Sequence, residues 1–175
     1  LGPDRDRPRH SPPAVYADLC SPHSGLGMVD LPASILFACD RNTIRSPMAE
    51  AITKHLVGHR IQVVSAGLQL GDMLVDGFAI MAMQEIGLDI SDHQPKAFEA
   101  LGDMPFDLII TFTPQAQHQA IELTRTRNCE IEYWPTPHPG DAKGSREERL
   151  QAYREVRDAL FSRIRTRFPS PERHA

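Results

Sequence analysis

Cys39 is followed by five residues and then by Arg45, Ser46 and Pro47. These side chains at this spacing can hold a tetrahedral oxyanion and attack it. The apolar run Ile35-Leu36-Phe37-Ala38 leads into the cysteine as a buried strand. Pro47 suits the first position of a helix. Asp40, Arg41, Asn42, Thr43 and Ile44 therefore make a turn from strand to helix. Such a turn aims several backbone N–H groups at one point, and the helix N-terminus adds partial positive charge. Arg45 can fork onto two oxygens of the anion. The same field favours an ionised sulfur at Cys39, and the Ser46 hydroxyl is close enough to donate to it. Asn42 is a residue type that accepts a left-handed backbone and ties a loop through its side chain. A cysteine and an arginine six positions on is by itself a common coincidence. The strand before the pair and the Ser-Pro after it make it specific.

The elements that must position these residues follow in a regular order. After the first strand, Met48, Ala51, Ile52, His55 and Leu56 recur at helical spacing up to Gly58. Ile61–Val64 reads as a second strand. Val75, Phe78, Ala79, Ala82, Met83 and Ile86 form an amphipathic helix stopped by Gly87. Leu108–Phe112 is a third strand, Pro114 to about Arg125 a third helix, and Cys129–Trp134 a fourth strand. The capping-box sequence Ser145-Arg146-Glu147-Glu148 opens a last helix carried by Leu150, Tyr153, Val156, Leu160, Ile164 and Phe168. The alternation implies a single α/β domain: a four-stranded parallel sheet flanked by helices on both faces. In such sheets ligands sit beyond the C-terminal ends of the strands, where Cys39 falls.

Composition narrows the function. Lys plus Arg number 19 against 23 Asp plus Glu, a net charge of -4, which argues against nucleic-acid binding through bulk positive charge. No apolar run approaches the ~18–20 residues of a membrane span. Three cysteines make no disulfide framework and fit a reducing compartment, so the expected location is the cytoplasm. Residues 1–33 hold Pro3, Pro8, Pro12, Pro13, Pro22 and Pro32 and lack apolar periodicity; they are expected to be a mobile tail, with Met28 as a candidate natural start. The folded domain is expected over 34–168, with a short C-terminal tail at 169–175.

The chain resembles the low-molecular-weight protein tyrosine phosphatases, which share a fold with one class of arsenate reductases. The resemblance rests on Cys39 through Arg45-Ser46-Pro47-Met48-Ala49-Glu50, on Ser65-Ala66-Gly67, on Gly87-Leu88-Asp89-Ile90-Ser91-Asp92-His93 and on Phe106-Asp107-Leu108-Ile109-Ile110. It spans about residues 34 to 168. It implies the phosphotyrosine phosphatase I-like fold and a two-step reaction on phosphotyrosine proteins or small aryl phosphates. In that reaction Cys39 forms a cysteinyl-phosphate, Arg45 and the loop amides hold the equatorial oxygens, and water releases phosphate. No metal or cofactor is implied. A monomer or weak dimer is expected.

Where the family places an Asp-Pro acid, this chain has Trp134-Pro135-Thr136-Pro137-His138-Pro139-Gly140-Asp141. A phenolate with pKa ~10 leaves slowly without a proton, and losing the acid costs roughly 10²–10⁴-fold. Three readings stay open: His138 as the acid, Asp141 reaching in, or an acid lost, leaving a slow phosphatase or a phosphate-binding module. Arg41 sits where many members carry a small residue and adds charge at the mouth. Ile44 stands where some members have a second cysteine, so no local disulfide can guard Cys39. The family's disulfide-recycling arsenate reductases carry cysteines after the third strand, where this chain has Thr111, Thr113 and Pro114. Arsenate reduction would then need an external thiol. Cys129 is expected in the core.

The remaining features have plainer readings. The arginines of the last helix alternate with acids and read as a salt-bridged face. His93 is expected to fix a turn. His55, His59 and His118 lack metal-ligand spacing. Tyr133 or Trp134 is a candidate apolar wall for an aryl group, with core packing equally open.

Overall fold

The period-two alternation within the first strand decides the layers. Ile35, Phe37 and Cys39 belong to one apolar cluster and Leu36 and Ala38 to another, so the strand is covered on both faces. The computed structural model describes residues 31–69 and 74–170. Its elements are β1 (Ser34–Cys39), α1 (Arg45–Val57), β2 (Gln62–Gly67), α2 (Gly77–Gln84), β3 (Leu108–Thr111), α3 (Pro114–Thr124), β4 (Glu130–Tyr133) and α4 (Arg146–Arg167). The four strands are all parallel, in the order β2-β1-β3-β4. α1, α2 and α4 pack on one face, and α3 with the short turn Phe98–Leu101 on the other. The protein is thus a single-domain α/β fold with a four-stranded parallel sheet. Chain progression reverses at β1, which opens a crevice beyond its C-terminal end.

Residues 1–30 and 171–175, including Cys20 and Met28, lie outside the described residues. Leu31, at the end of the expected tail, packs against the larger core. The Ala33 N–H donates to Asp107 Oδ2 at 2.7 Å. Ser170 donates to the Leu56 carbonyl at 2.8 Å.

Several boundaries differ from the sequence expectation: β2 runs Gln62–Gly67 rather than Ile61–Val64, and β3 ends at Thr111 rather than Phe112. α1 starts at Arg45 and not at Pro47. α2 starts after Val75, because the Asp76 carboxylate accepts from the N–H groups of Phe78 and Ala79 at 2.8 and 3.2 Å and caps the helix. β4 excludes Cys129 and Trp134. Trp134 is 3% exposed and packs against Phe37 and Phe112, which stack with centroids 5.9 Å apart. Arg163 lies 4.5 Å over its ring. Trp134 is therefore a core residue, and neither it nor Tyr133 lines the pocket at Cys39.

Among the described residues, three of the seven arginines of α4 are ion-paired. Arg154 and Arg157 both reach Glu85 on the loop after α2, at 2.7 and 2.8 Å, and Arg167 reaches Glu132 at 3.0 Å. Hydrogen bonding from Arg154, opposed by desolvation and reinforced by Arg157, holds the Glu85 carboxyl down at about 2. The Ser145 hydroxyl accepts from the Glu148 N–H at 3.1 Å and caps α4.

Candidate functional site

The turn between β1 and α1 is held from below by side chains. Asn42 takes the left-handed backbone, with φ 58°. Its N–H donates to Cys39 Sγ at 3.3 Å. Its carboxamide Nδ2 donates to Ser46 Oγ at 2.8 Å and to Ser65 Oγ at 2.9 Å. Its Oδ1 accepts from His93 Nε2 at 3.0 Å and from the Lys96 N–H at 3.0 Å. Ser46 Oγ lies 2.9 Å from Cys39 Sγ. Either atom of that pair can be the donor; an ionised sulfur can only accept, so Ser46 and the Asn42 N–H would then both donate to Cys39.

His93 sits in the expected turn, its N–H donating to the Ile90 carbonyl at 3.1 Å, and its ring also reaches beyond that segment. With Nε2 on Asn42, its Nδ1 lies 3.5 Å from Glu50 Oε2. The Glu50 carboxyl sits below the usual carboxylate range. Burial pushes it up, and this is outweighed by the His93 hydrogen bond and by the charges of Lys54, His93 and Lys96.

Gly67 ends β2 opposite Cys39. A Cβ there would meet the Arg41 carbonyl carbon at 2.7 Å and the Asn42 nitrogen at 2.8 Å. The turn therefore rests directly on this glycine's backbone. The Asp40 carbonyl accepts from the N–H groups of Leu68 and Gln69, both at 2.9 Å. Asp40 Oδ1 accepts from the Thr113 hydroxyl at 2.6 Å, and the same Thr113 Oγ1 caps α3.

α1 begins directly at Arg45, and no side chain caps its N-terminus. Its first-turn N–H groups, normally satisfied by a cap, are left for a ligand. Arg45 is 6% exposed. Its Nη1 donates to the Thr136 carbonyl at 2.9 Å, which ties the guanidinium to the loop after β4.

Cys39, Asp40, Arg41, Thr43, Ile44, Arg45, His138 and Asp141 line one pocket of about 430 Å³. The structure thus brings together the strand–helix turn and the loop expected to supply an acid. Asn42 and Ser46 are fully buried behind it. Arg41 is exposed at its mouth. Among the described residues no Phe, Tyr or Trp side chain lines the pocket, whose one ring is the His138 imidazole.

His138 precedes a short turn, Pro139–Asp141. Its Nδ1 accepts from the Gly140 N–H at 3.0 Å, so the neutral ring carries its proton on Nε2. Asp141 Oδ1 lies 3.9 Å from the same Nδ1, and Asp141 is largely exposed.

Cys129 is half-buried, and burial and the Asp107 charge push its thiol up. It precedes Glu130, which pairs with Leu108 and through it with Ile35. Cys39 lies five residues further along the sheet, roughly 16 Å at strand rise, far beyond the ~4.4–6.8 Å Cα separation of a disulfide. Among the described residues no group of three or more His, Cys, Asp or Glu side chains is arranged to hold a metal ion.

The network under the turn was the part least visible beforehand. Gly67, Ser65, His93 and Thr113 make contacts that join residues far apart in sequence. Only the Ser65-Ala66-Gly67 and His93 resemblances pointed towards them.

Comparison with known proteins agrees with the geometry. A model of the low molecular weight phosphotyrosine protein phosphatase family matches residues 34–167. The arsenate reductase of Halalkalibacterium halodurans is 35% identical over 133 residues, 75% of this chain and 92% of its own length. The solved structure of an arsenate reductase in the oxidized state superposes with a TM-score of 0.61 and 26% identity, covering 77% of this chain and 95% of the other. The tyrosine phosphatase Wzb from Escherichia coli K30, in complex with sulphate, is alike in fold, with a TM-score of 0.65, 21% identity and coverage of 78% and 96%. With that family match over the whole described domain, the chain belongs to the low molecular weight phosphotyrosine protein phosphatase family.

Proposed function

We propose that the protein is a cysteine-dependent phosphomonoester hydrolase working through a cysteinyl-phosphate. The observation that carries this reading is the shared pocket, in which Cys39, Arg45 and Asp141 face one space. The Cys39 sulfur attacks phosphorus in line, and the bond from phosphorus to the leaving oxygen breaks. Arg45 and the N–H groups of residues 40–45 hold the equatorial oxygens as charge redistributes. Asp141 gives its proton to the leaving oxygen. Its carboxylate then takes a proton from the water that attacks the cysteinyl-phosphate, and inorganic phosphate leaves with Cys39 restored as thiolate.

Asp141 is assigned the proton because His138 is engaged otherwise. Its Nδ1 already accepts from Gly140, so forming the imidazolium would break the cap of the turn. The pocket gives an aryl leaving group no Phe, Tyr or Trp surface among the described residues, which favours small phosphate esters.

A second reading is arsenate reduction, favoured by relatives such as the Halalkalibacterium halodurans enzyme. Cys39 would attack arsenate with loss of water. An external thiol would then attack the sulfur, expelling arsenite and leaving a mixed disulfide, and a second thiol would release Cys39. The two electrons come from the two thiols, and Cys129 takes no part.

The test compares hydrolysis of p-nitrophenyl phosphate by wild type and Cys39→Ser, alongside arsenate-dependent oxidation of a supplied thiol. Turnover that depends on Cys39 supports the first reading. Wild type no faster than Cys39→Ser on the ester, with thiol oxidation that requires arsenate, replaces it by the second.

A further inference from the structure

One carboxylate connects the phosphate-holding turn to the helix beneath the acid turn. The Asp76 N–H donates to the Thr43 carbonyl at 3.1 Å. Asp76 Oδ1 is occupied by the cap of α2. Its Oδ2 accepts from the Tyr153 hydroxyl at 3.2 Å. Tyr153 lies on α4 and is 2% exposed. A Cβ built on Gly140 would stand 3.4 Å from that hydroxyl oxygen, so the tyrosine head group lies directly under the turn that carries Asp141. Tyr153 therefore touches the support of Thr43 and the support of Asp141 at once.

From this geometry we infer that Tyr153 and Asp76 are positioning residues, which set the spacing between the Cys39–Arg45 turn and the Asp141 turn. Neither lines the pocket; both act through the backbone they hold. The Tyr153 hydroxyl keeps its proton as a donor well above ordinary tyrosine titration, because burial, the charge of Asp76 and their hydrogen bond oppose ionisation, with Asp141 adding in the same direction. The tyrosine is thus a donor to Asp76 throughout the neutral range. Misplacing a proton donor by a fraction of an ångström penalises the step that needs the proton more than the binding of the anion.

This inference rests on the phosphatase reading. Tyr153→Phe removes the hydroxyl and keeps the ring, whose centroid lies 5.4 Å from that of Phe78. Asp76→Ser keeps a cap for α2 and removes the reach to Tyr153. Both variants are assayed on phenyl phosphate, a poor leaving group, and on p-nitrophenyl phosphate, a good one. The expected result is a further loss of about tenfold in kcat/KM on the poor leaving group relative to the good one, with competitive inhibition by inorganic phosphate changed by less than about twofold. An equal fall on both substrates, or no change on either, overturns the inference. If wild type is no faster than Cys39→Ser, the phosphatase reading fails on its own. The pair is then judged by amide exchange in Tyr153→Phe. Exchange faster by about tenfold at Gly140 and Asp76 supports the link, and unchanged exchange overturns it.

Discussion

Asn42 donates its carboxamide proton to Ser46 Oγ at 2.8 Å, and that oxygen lies 2.9 Å from Cys39 Sγ, to which its hydroxyl donates once the sulfur is ionised. The proposed nucleophile is thus oriented through a residue that does not line the pocket. Ser46→Ala removes the last donor of this relay with little change in volume. Turnover on p-nitrophenyl phosphate is expected to fall by roughly 10–100-fold while phosphate still binds, since the loop amides remain. Steady-state kinetics with phosphate as inhibitor measures both.

Asn42→Ala removes both halves of the carboxamide. It leaves His93 Nε2, the Lys96 N–H and Ser65 Oγ without this buried partner, and it puts alanine at φ 58°. With the bond to Ser46 Oγ, four hydrogen bonds are lost; at about 0.5–1.5 kcal/mol each, and with the backbone strain, they sum to roughly 3–7 kcal/mol. Urea unfolding is the measurement. A loss under about 1 kcal/mol would mean that the network carries little of the turn's stability.

Gly67→Ala forces a Cβ to within 2.8 Å of two backbone atoms of the turn. Neither atom belongs to a flexible side chain, so the turn itself must move. Phosphate affinity is expected to fall about tenfold or more, with a stability loss of roughly 1–3 kcal/mol. Gly77→Ala is the control, because nothing lies within 4 Å of a Cβ there; it is expected to leave phosphate binding unchanged. Isothermal titration with phosphate reads both variants.

Arg45→Lys keeps the charge and loses the fork. The guanidinium bridges to the Thr136 carbonyl, and a lysine cannot hold that carbonyl and two anion oxygens in one plane. Loss of kcat/KM by roughly 100-fold is expected. A change of under about threefold would show that positive charge alone suffices there.

Glu85 gives a pH-dependent prediction. Its carboxyl is held at about 2, well below the ordinary glutamate value of 4.5, chiefly by hydrogen bonding from Arg154. A depressed carboxyl contributes stability that is present above the unfolded value and is lost as pH falls through the folded one. The Tm difference between wild type and Glu85→Gln should therefore be full at pH 7, shrink below 4.5 and vanish near 2. Thermal scans across that window test it.

How much could be read beforehand depended on range. The Cys39–Arg45 turn is local: strand, turn and helix lie within about twenty residues, and residue types alone imply the field. The strand–helix alternation is legible for the same reason, because burial on both faces leaves continuous apolar runs in β1 and β3. Boundaries failed where a side chain overrode the pattern. Val75 has the right spacing for α2, yet the Asp76 cap starts the helix after it. Contacts across long separations left weak traces. Nothing near Thr113 says that it meets Asp40, and nothing near Tyr153 says that it meets Asp76. Trp134 sits next to the candidate acid loop in sequence and in the core in space, because just past the end of β4 its ring packs against Phe37 and Phe112.

Asn42 has one further consequence. Its left-handed backbone and its bonds to Ser46, Ser65, His93 and Lys96 are made entirely by the chain's own groups. The entropy of shaping the receptor is thus spent during folding, and an arriving anion meets a finished mould. Capture should then resemble docking onto a rigid lattice site, with association limited by diffusion and dehydration and not by loop rearrangement.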